Sequence, residues 1–119
     1  MLSVMLKSKL HHATVTDVEL EYEGSLTIDS NLMDAAGIRP YEKILIANLA
    51  NGNRFETYAI PAEESGSGKI CLNGATAHKG SSGDRLIVFA FGLLQEEEIN
   101  QHRPRVILLD ENNKIKTAT

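Results

Sequence analysis

Asn51-Gly52 stands between two strand-like runs, Lys43 to Leu49 and Arg54 to Ile60, and a chain built on that unit is committed to antiparallel pairing. Asn-Gly accepts the positive φ angles of a tight hairpin turn, whose twist matches the strands on either side. The return run sets Phe55, Thr57 and Ala59 on one face against Arg54, Glu56, Tyr58 and Ile60 on the other, the period of a half-buried strand. The same rhythm recurs along the chain. Met5 to Thr16 reads as a first strand whose imperfect alternation predicts a bulge or a change of face, and Asp17 to Tyr22 continues extended. Lys69 to Leu72, Arg85 to Leu94 and Arg103 to Asp110 are further strands, and Leu86 to Leu94 is apolar enough for a buried one.

Helix is scarce. Asp29 or Ser30 caps a short helix over Asn31 to Ala36, Gly37 stops it, and Pro40 prevents continuation. Gln95 to Gln101 predicts a short acidic helix, with Glu96-Glu97-Glu98 favoured by the dipole at its start. The tail Glu111 to Thr119 is polar and is expected to fray. Many short strands with polar turns and little helix mean a mainly β chain, a small barrel or a sandwich.

With 119 residues the chain is expected to form a single domain, 1–119. A net charge of −4 argues against a nucleic-acid partner. No apolar run approaches the roughly 20 residues that span a bilayer, and the amino terminus lacks the pattern of a signal peptide. The lone Cys71 fits a reducing cytoplasm and reads as a small buried hydrophobe on a strand. Gly66-Ser67-Gly68-Lys69 is a turn, because Glu63 and Ile70 stand where a phosphate loop needs glycine and a hydroxyl. The four histidines show no metal-ligand spacing.

The stretch Leu20 to Asp29 holds a Gly-Ser dipeptide that by itself reads as a common turn, and that also allows a specific chemistry. Two extended runs meet at Gly24-Ser25, where glycine frees the backbone and serine places a hydroxyl near the preceding carbonyl. Attack by that hydroxyl would move the Gly24 acyl group from nitrogen to oxygen. Elimination of the ester and loss of ammonia would then leave a pyruvoyl ketone at position 25. Such a ketone is an electron sink that condenses with a substrate amine, and it needs no metal or external cofactor.

Four segments in order, Lys9-Leu10-His11, Tyr22-Glu23-Gly24-Ser25, Asn51 to Tyr58 and Asn73-Gly74-Ala75, closely resemble the pyruvoyl-dependent L-aspartate 1-decarboxylases, which make β-alanine for pantothenate. The resemblance runs from Met1 to about Asp110. It implies a six-stranded double-psi β-barrel with short helices, assembled as a homotetramer with active sites between neighbouring subunits. It also implies a cut into chains 1–24 and 25–119, and L-aspartate bound to the pyruvoyl group of Ser25 as a Schiff base. In the family the matching lysine and arginine, here Lys9 and Arg54, bind substrate. The matching tyrosine, Tyr58, is the proton donor, and Thr57 helps activate the Gly24 carbonyl. Thr57 points away from Tyr58 in an ideal strand, so a twist, a bulge or a neighbouring subunit must reconcile the two roles.

The remaining candidates follow from residue chemistry. Asn73 orients substrate or the pyruvoyl oxygen, Gly74 and Ala75 offer backbone N–H groups to an oxyanion, and Tyr22 and His11 shape the site. Glu23, beside the bond to be cut, reads either as a proton shuttle during maturation or as a solvated acid. His12 and Glu64-Ser65 depart from common family patterns, which bears on subunit contacts and on the maturation factor that some bacterial members need. Other readings are a non-catalytic barrel module for binding or oligomerisation, and a pyruvoyl decarboxylase for another acidic amino acid.

Overall fold

The computed structural model describes residues 1–119. Nine strands and two short helices follow one another: β1 (Leu2–Thr14), β2 (Asp17–Glu19), β3 (Ser25–Ile28), α1 (Ser30–Ala36), β4 (Lys43–Asn48), β5 (Arg54–Pro61), β6 (Ile70–Asn73), a 3-10 segment (Gly74–Lys79), β7 (Arg85–Gln95), α2 (Glu96–Ile99), β8 (Arg105–Leu109) and β9 (Ile115–Ala118). The chain is mainly β, as its pattern predicts. The strands hydrogen-bond in the order β2-β6-β3-β5-β4-β7-β1-β8-β9. Edge strand β2 and the end of β1 are tied back by Thr16, whose N–H donates to the Ile70 carbonyl at 2.8 Å.

One apolar cluster fills the interior. Cross-strand partners share a face, so Leu10, Val88, Ile46 and Phe55 form one inward row across β1, β7, β4 and β5. The hairpin of β4 and β5 closes around Asn51-Gly52, with Gly52 at φ 76° and its N–H on the Asn48 carbonyl. The irregular alternation of β1 resolves into two register shifts against β7, at Leu6/Ser8 and at His11/Ala13. They change which residues face inward, and His12 takes a positive φ of 68° at the second shift.

Asp29 is the helix cap, and it does more than cap. Its buried carboxylate accepts from Asn31 N at 3.0 Å, Gly66 N at 2.9 Å and Gly68 N at 2.8 Å, tying α1 to the loop before β6. Burial raises its pKa, but those N–H groups and the Lys114 charge outweigh burial and hold the carboxyl below its ordinary value. Asp29→Ala is therefore expected to destabilise the chain by about 3 kcal/mol in denaturant melts, since charge-assisted bonds are lost and buried donors orphaned. The sign follows from the lowered folded pKa. This contribution is full above the unfolded carboxylate value and fades as pH falls through the lower folded value, so the parent and variant should converge in strong acid.

Three expectations change. The extended run before Gly24 stops at Glu19, and Leu20 to Tyr22 turn. The polar tail is ordered rather than frayed: β9 pairs antiparallel with β8, and buried Asn113 bonds to Thr14 N and O and to Gly68 O, each at 2.8 Å. Local polarity hid a strand held by distant partners. The apolar run of β7 is buried only in its first half. Leu86, Val88 and Ala90 face the core, whereas Phe91 and Leu93 are exposed beside Leu2 and Val4 of β1. No helix is long and apolar enough to cross a membrane.

Candidate active site

Ser25 opens β3 and is fully buried. Its Oγ donates to the Glu23 carbonyl at 3.2 Å and accepts from Asn73 Nδ2 at 3.0 Å. The Asn73 contact follows from topology, because β3 and β6 run antiparallel with Ser25 opposite Asn73. Glu23 reaches Ser25 through its backbone oxygen, while its side chain lies on an exposed loop. Thr76, in the 3-10 segment, donates to the Asn73 carbonyl at 2.7 Å and to the Ser25 carbonyl at 3.4 Å.

Gly74, not Gly24, is the glycine the backbone requires. Gly74 sits at φ 64°, and a Cβ there would lie 2.6 Å from the Tyr22 carbonyl and 2.8 Å from both Cα and N of Gly24. The 3-10 segment thus presses directly on the backbone of the candidate cut. Gly24 has no left-handed φ, and a Cβ on it would meet nothing within 4 Å. Its role as a freed corner is corrected accordingly: what Gly74 packs on is the backbone of residue 24, and a side chain there would meet open space. Ala75 is exposed, as is Tyr22 at the mouth of a cleft of about 790 Å³ that Thr27, Cys71 and Asn73 also line. Asp17, Glu19, Glu21, Glu63 and Glu64 ring this cleft against one lysine, Lys69.

The cations lie elsewhere. Lys9 pairs with Phe89, Phe89 with Leu45 and Leu45 with Glu56, forming an outward row; His11, Ile87, Ala47 and Arg54 form the next one. Arg54 leans across β4, so that its Cζ lies 5.4 Å from the centre of the Phe89 ring. Two cations therefore flank one aromatic floor, as a dicarboxylate would need. Tyr58 shares the outward face of β5 with Arg54, and its ring lies 6.2 Å from that of exposed Tyr41. His11 is half-buried, stacks on His12 at 4.1 Å and leaves Nδ1 buried without a partner. Burial, then the charges of His12 and Lys9, hold its pKa below the ordinary histidine value.

Within one chain the cations do not reach Ser25. Lys9 on β1 stands four inter-strand steps of about 4.8 Å from β3, and Arg54 lies at the far start of β5; Tyr58 alone sits on the strand next to β3, one residue before the Leu26–Ala59 pair and so level with Ser25. No hydrogen bond or ion pair links Lys9, Arg54 or Tyr58 to Ser25. Thr57 pairs with core residue Ile44, and no bulge interrupts that ladder, so it stays on the opposite face of β5 from Tyr58. Thr27 and Thr76 join the Ser25 network without having been singled out by pattern; a hydroxyl on a strand or after a glycine is too common to signal this. No cluster of three or more His, Cys, Asp or Glu side chains is placed to hold a metal ion.

Comparison with known proteins agrees with this arrangement of motifs. The profile of the aspartate decarboxylase family matches residues 1–116. A protein of Desulfotalea psychrophila named aspartate 1-decarboxylase is 55% identical over 116 residues, covering 98% of this chain and 97% of its own. One of Thioalkalivibrio sulfidiphilus with the same name is 58% identical over 115 residues, covering 97% and 90%. One of Leptospira biflexa is 50% identical over 119 residues, covering 99% and 100%. A match of that extent leaves one conclusion: the chain belongs to the aspartate decarboxylase family.

Proposed function

We propose that this chain cuts itself between Gly24 and Ser25 and, as chains 1–24 and 25–119, converts L-aspartate to β-alanine and carbon dioxide, a step that serves pantothenate synthesis. The observation that carries the reading is the buried Ser25 hydroxyl, held between the Glu23 carbonyl and the Asn73 amide where Gly74 packs on the Gly24 backbone. In the cut, a bond forms from Ser25 Oγ to the Gly24 carbonyl carbon as the bond to the Ser25 nitrogen breaks, and the hydroxyl proton passes to that nitrogen. Loss of the Cα proton and of the Cβ–Oγ bond frees Gly24 as a carboxylic acid and leaves dehydroalanine at 25. Water then replaces its nitrogen, which departs as ammonia. Glu23, on the adjacent exposed loop, would exchange protons with solvent during these steps.

The surroundings of position 25 fit a pyruvoyl group. Asn73 brings an amide donor to this position, and Gly74 and Ala75 follow it with no bulky side chain to intrude. Once formed, the ketone supplies the electron sink for loss of the α-carboxylate. Arg54 and Lys9 bind the substrate carboxylates, Arg54 through its two-pronged guanidinium. Tyr58 returns the proton to the carbon that loses carbon dioxide; a phenol donates without carrying charge beforehand. His11, kept neutral by burial, borders Lys9 without competing for the anion. The acidic rim of the cleft that Asn73 lines and the separate cationic face support a site completed by a neighbouring copy, within a homotetramer. Exposed Val4, Phe91 and Leu93 offer apolar surface for such contacts. Thr57 would act on Gly24 from the adjoining strand of its own chain, two residues before the Leu26–Ala59 pair, and a maturation factor is a partner for the cut alone. The setting is the cytoplasm.

Carbon dioxide release from a panel of acidic amino acids tests the reading. Aspartate should be decarboxylated and glutamate rejected. Arg54→Ala should lower kcat/KM by about 100-fold, the size of ~3 kcal/mol of charge-assisted hydrogen bonding. Equal turnover of glutamate, or an Arg54→Ala protein as active as its parent, would contradict the assignment.

A further inference from the structure

Beside the Gly24–Ser25 bond, four side chains on two antiparallel strands form a small lattice. Ser25 stands opposite Asn73 and Thr27 opposite Cys71. The Asn73 amide donates to Ser25 Oγ at 3.0 Å and to Thr27 Oγ1 at 2.7 Å, and its carbonyl oxygen accepts from the Cys71 thiol at 3.2 Å. A primary amide has nearly the same shape when turned over, so a competing pose exists in which oxygen faces both hydroxyls. That pose would take the Ser25 proton from Glu23 and leave no donor on Oγ. In the pose observed, an N–H group points at Oγ, where negative charge grows as the hydroxyl loses its proton. The lower half of the lattice decides between them. A thiol donates to a carbonyl oxygen, whereas the turned amide would press N–H against sulfur, a weak acceptor. Burial, then the Asp17 charge, push the Cys71 thiol up, which keeps its proton in place.

We infer that Cys71 is a positioning residue for self-cleavage: its S–H bond to Asn73 Oδ1 sets the amide so that nitrogen, not oxygen, meets the Ser25 hydroxyl. The inference rests on the reading that position 25 is the site of the cut. Cys71 itself touches no reacting atom; it acts through Asn73.

The test follows freshly made precursor by intact mass over time, beside thermal melts. Cys71→Ala should be cut about fivefold more slowly, the worth of one neutral hydrogen bond. Cys71→Ser, which restores a donor at the same place, should recover the parent rate, a rescue that a purely structural role does not predict. Should Cys71→Ala fail to fold, Cys71→Val fills the space without a donor and is read in its stead, with the same slowing expected. A parent rate in Cys71→Ala, or a Cys71→Ser chain as slow as Cys71→Ala, overturns the positioning role while leaving the cut intact. Parent protein that is never cut overturns both.

Discussion

Ser25→Ala is expected to give a single uncut chain that folds like its parent and releases no carbon dioxide from aspartate. The substitution removes one atom. It deletes the nucleophile of the cut and, with it, the source of the ketone, so the loss of activity should be complete rather than graded. Folding should survive, because Asn73 keeps its bond to Thr27 and Ser25 Oγ gives up only its contacts with the Glu23 carbonyl and the Asn73 amide. The cost in stability should be about 2 kcal/mol, that of two neutral hydrogen bonds. Intact mass, a melt and a carbon dioxide assay together decide it. A Ser25→Ala protein that is cut, or that turns over aspartate, would refute the role of this hydroxyl.

Gly74→Ala should be nearly as damaging by a different route. The atoms that a Cβ at 74 would strike belong to the backbone of Tyr22 and Gly24, so no flexible side chain can swing aside. The loop carrying the cut must move instead, and displacements of about 1 Å at a reacting centre can cost on the order of a hundredfold in rate. A left-handed alanine adds about 1 kcal/mol of strain. Gly52→Ala separates the two effects, since Gly52 has φ 76° but nothing within 4 Å of its would-be Cβ. The expected result is a modest loss of stability for Gly52→Ala with normal cutting. Gly74→Ala should lose about 3 kcal/mol and cut about a hundredfold more slowly. Equal behaviour of the two variants would show that backbone strain, not the clasp on Gly24, is what glycine at 74 relieves.

Local chemistry made much of this structure legible. The Asn51-Gly52 hairpin, the Asp29 cap and the broken alternation of β1 each depend on residues near in sequence, and each is present, although the hairpin closes through the loop 49–53 with positive φ at Gly52 and not at Asn51. What pattern could not show is pairing across distance. Ser25 and Asn73 are joined by the β3–β6 register, and no periodicity relates them. The strand β9 was hidden for the same reason, its order depending on β8 and on Asn113 reaching Thr14 and Gly68. The exposed ends of β1 and β7 teach the converse. Hydropathy marks Val4, Phe91 and Leu93 as apolar but cannot say whether the same chain covers them. Cys71 was legible as buried, yet its donor role became visible only with the orientation of its neighbour's amide.

The most direct test of the account is intact mass after incubation of purified protein with L-aspartate and borohydride. The account predicts two fragments, one ending at Gly24 and a larger one beginning at position 25, with the larger alone gaining the mass of reduced substrate. A single full-length species after prolonged warming, or two fragments of which neither takes up aspartate, would contradict it.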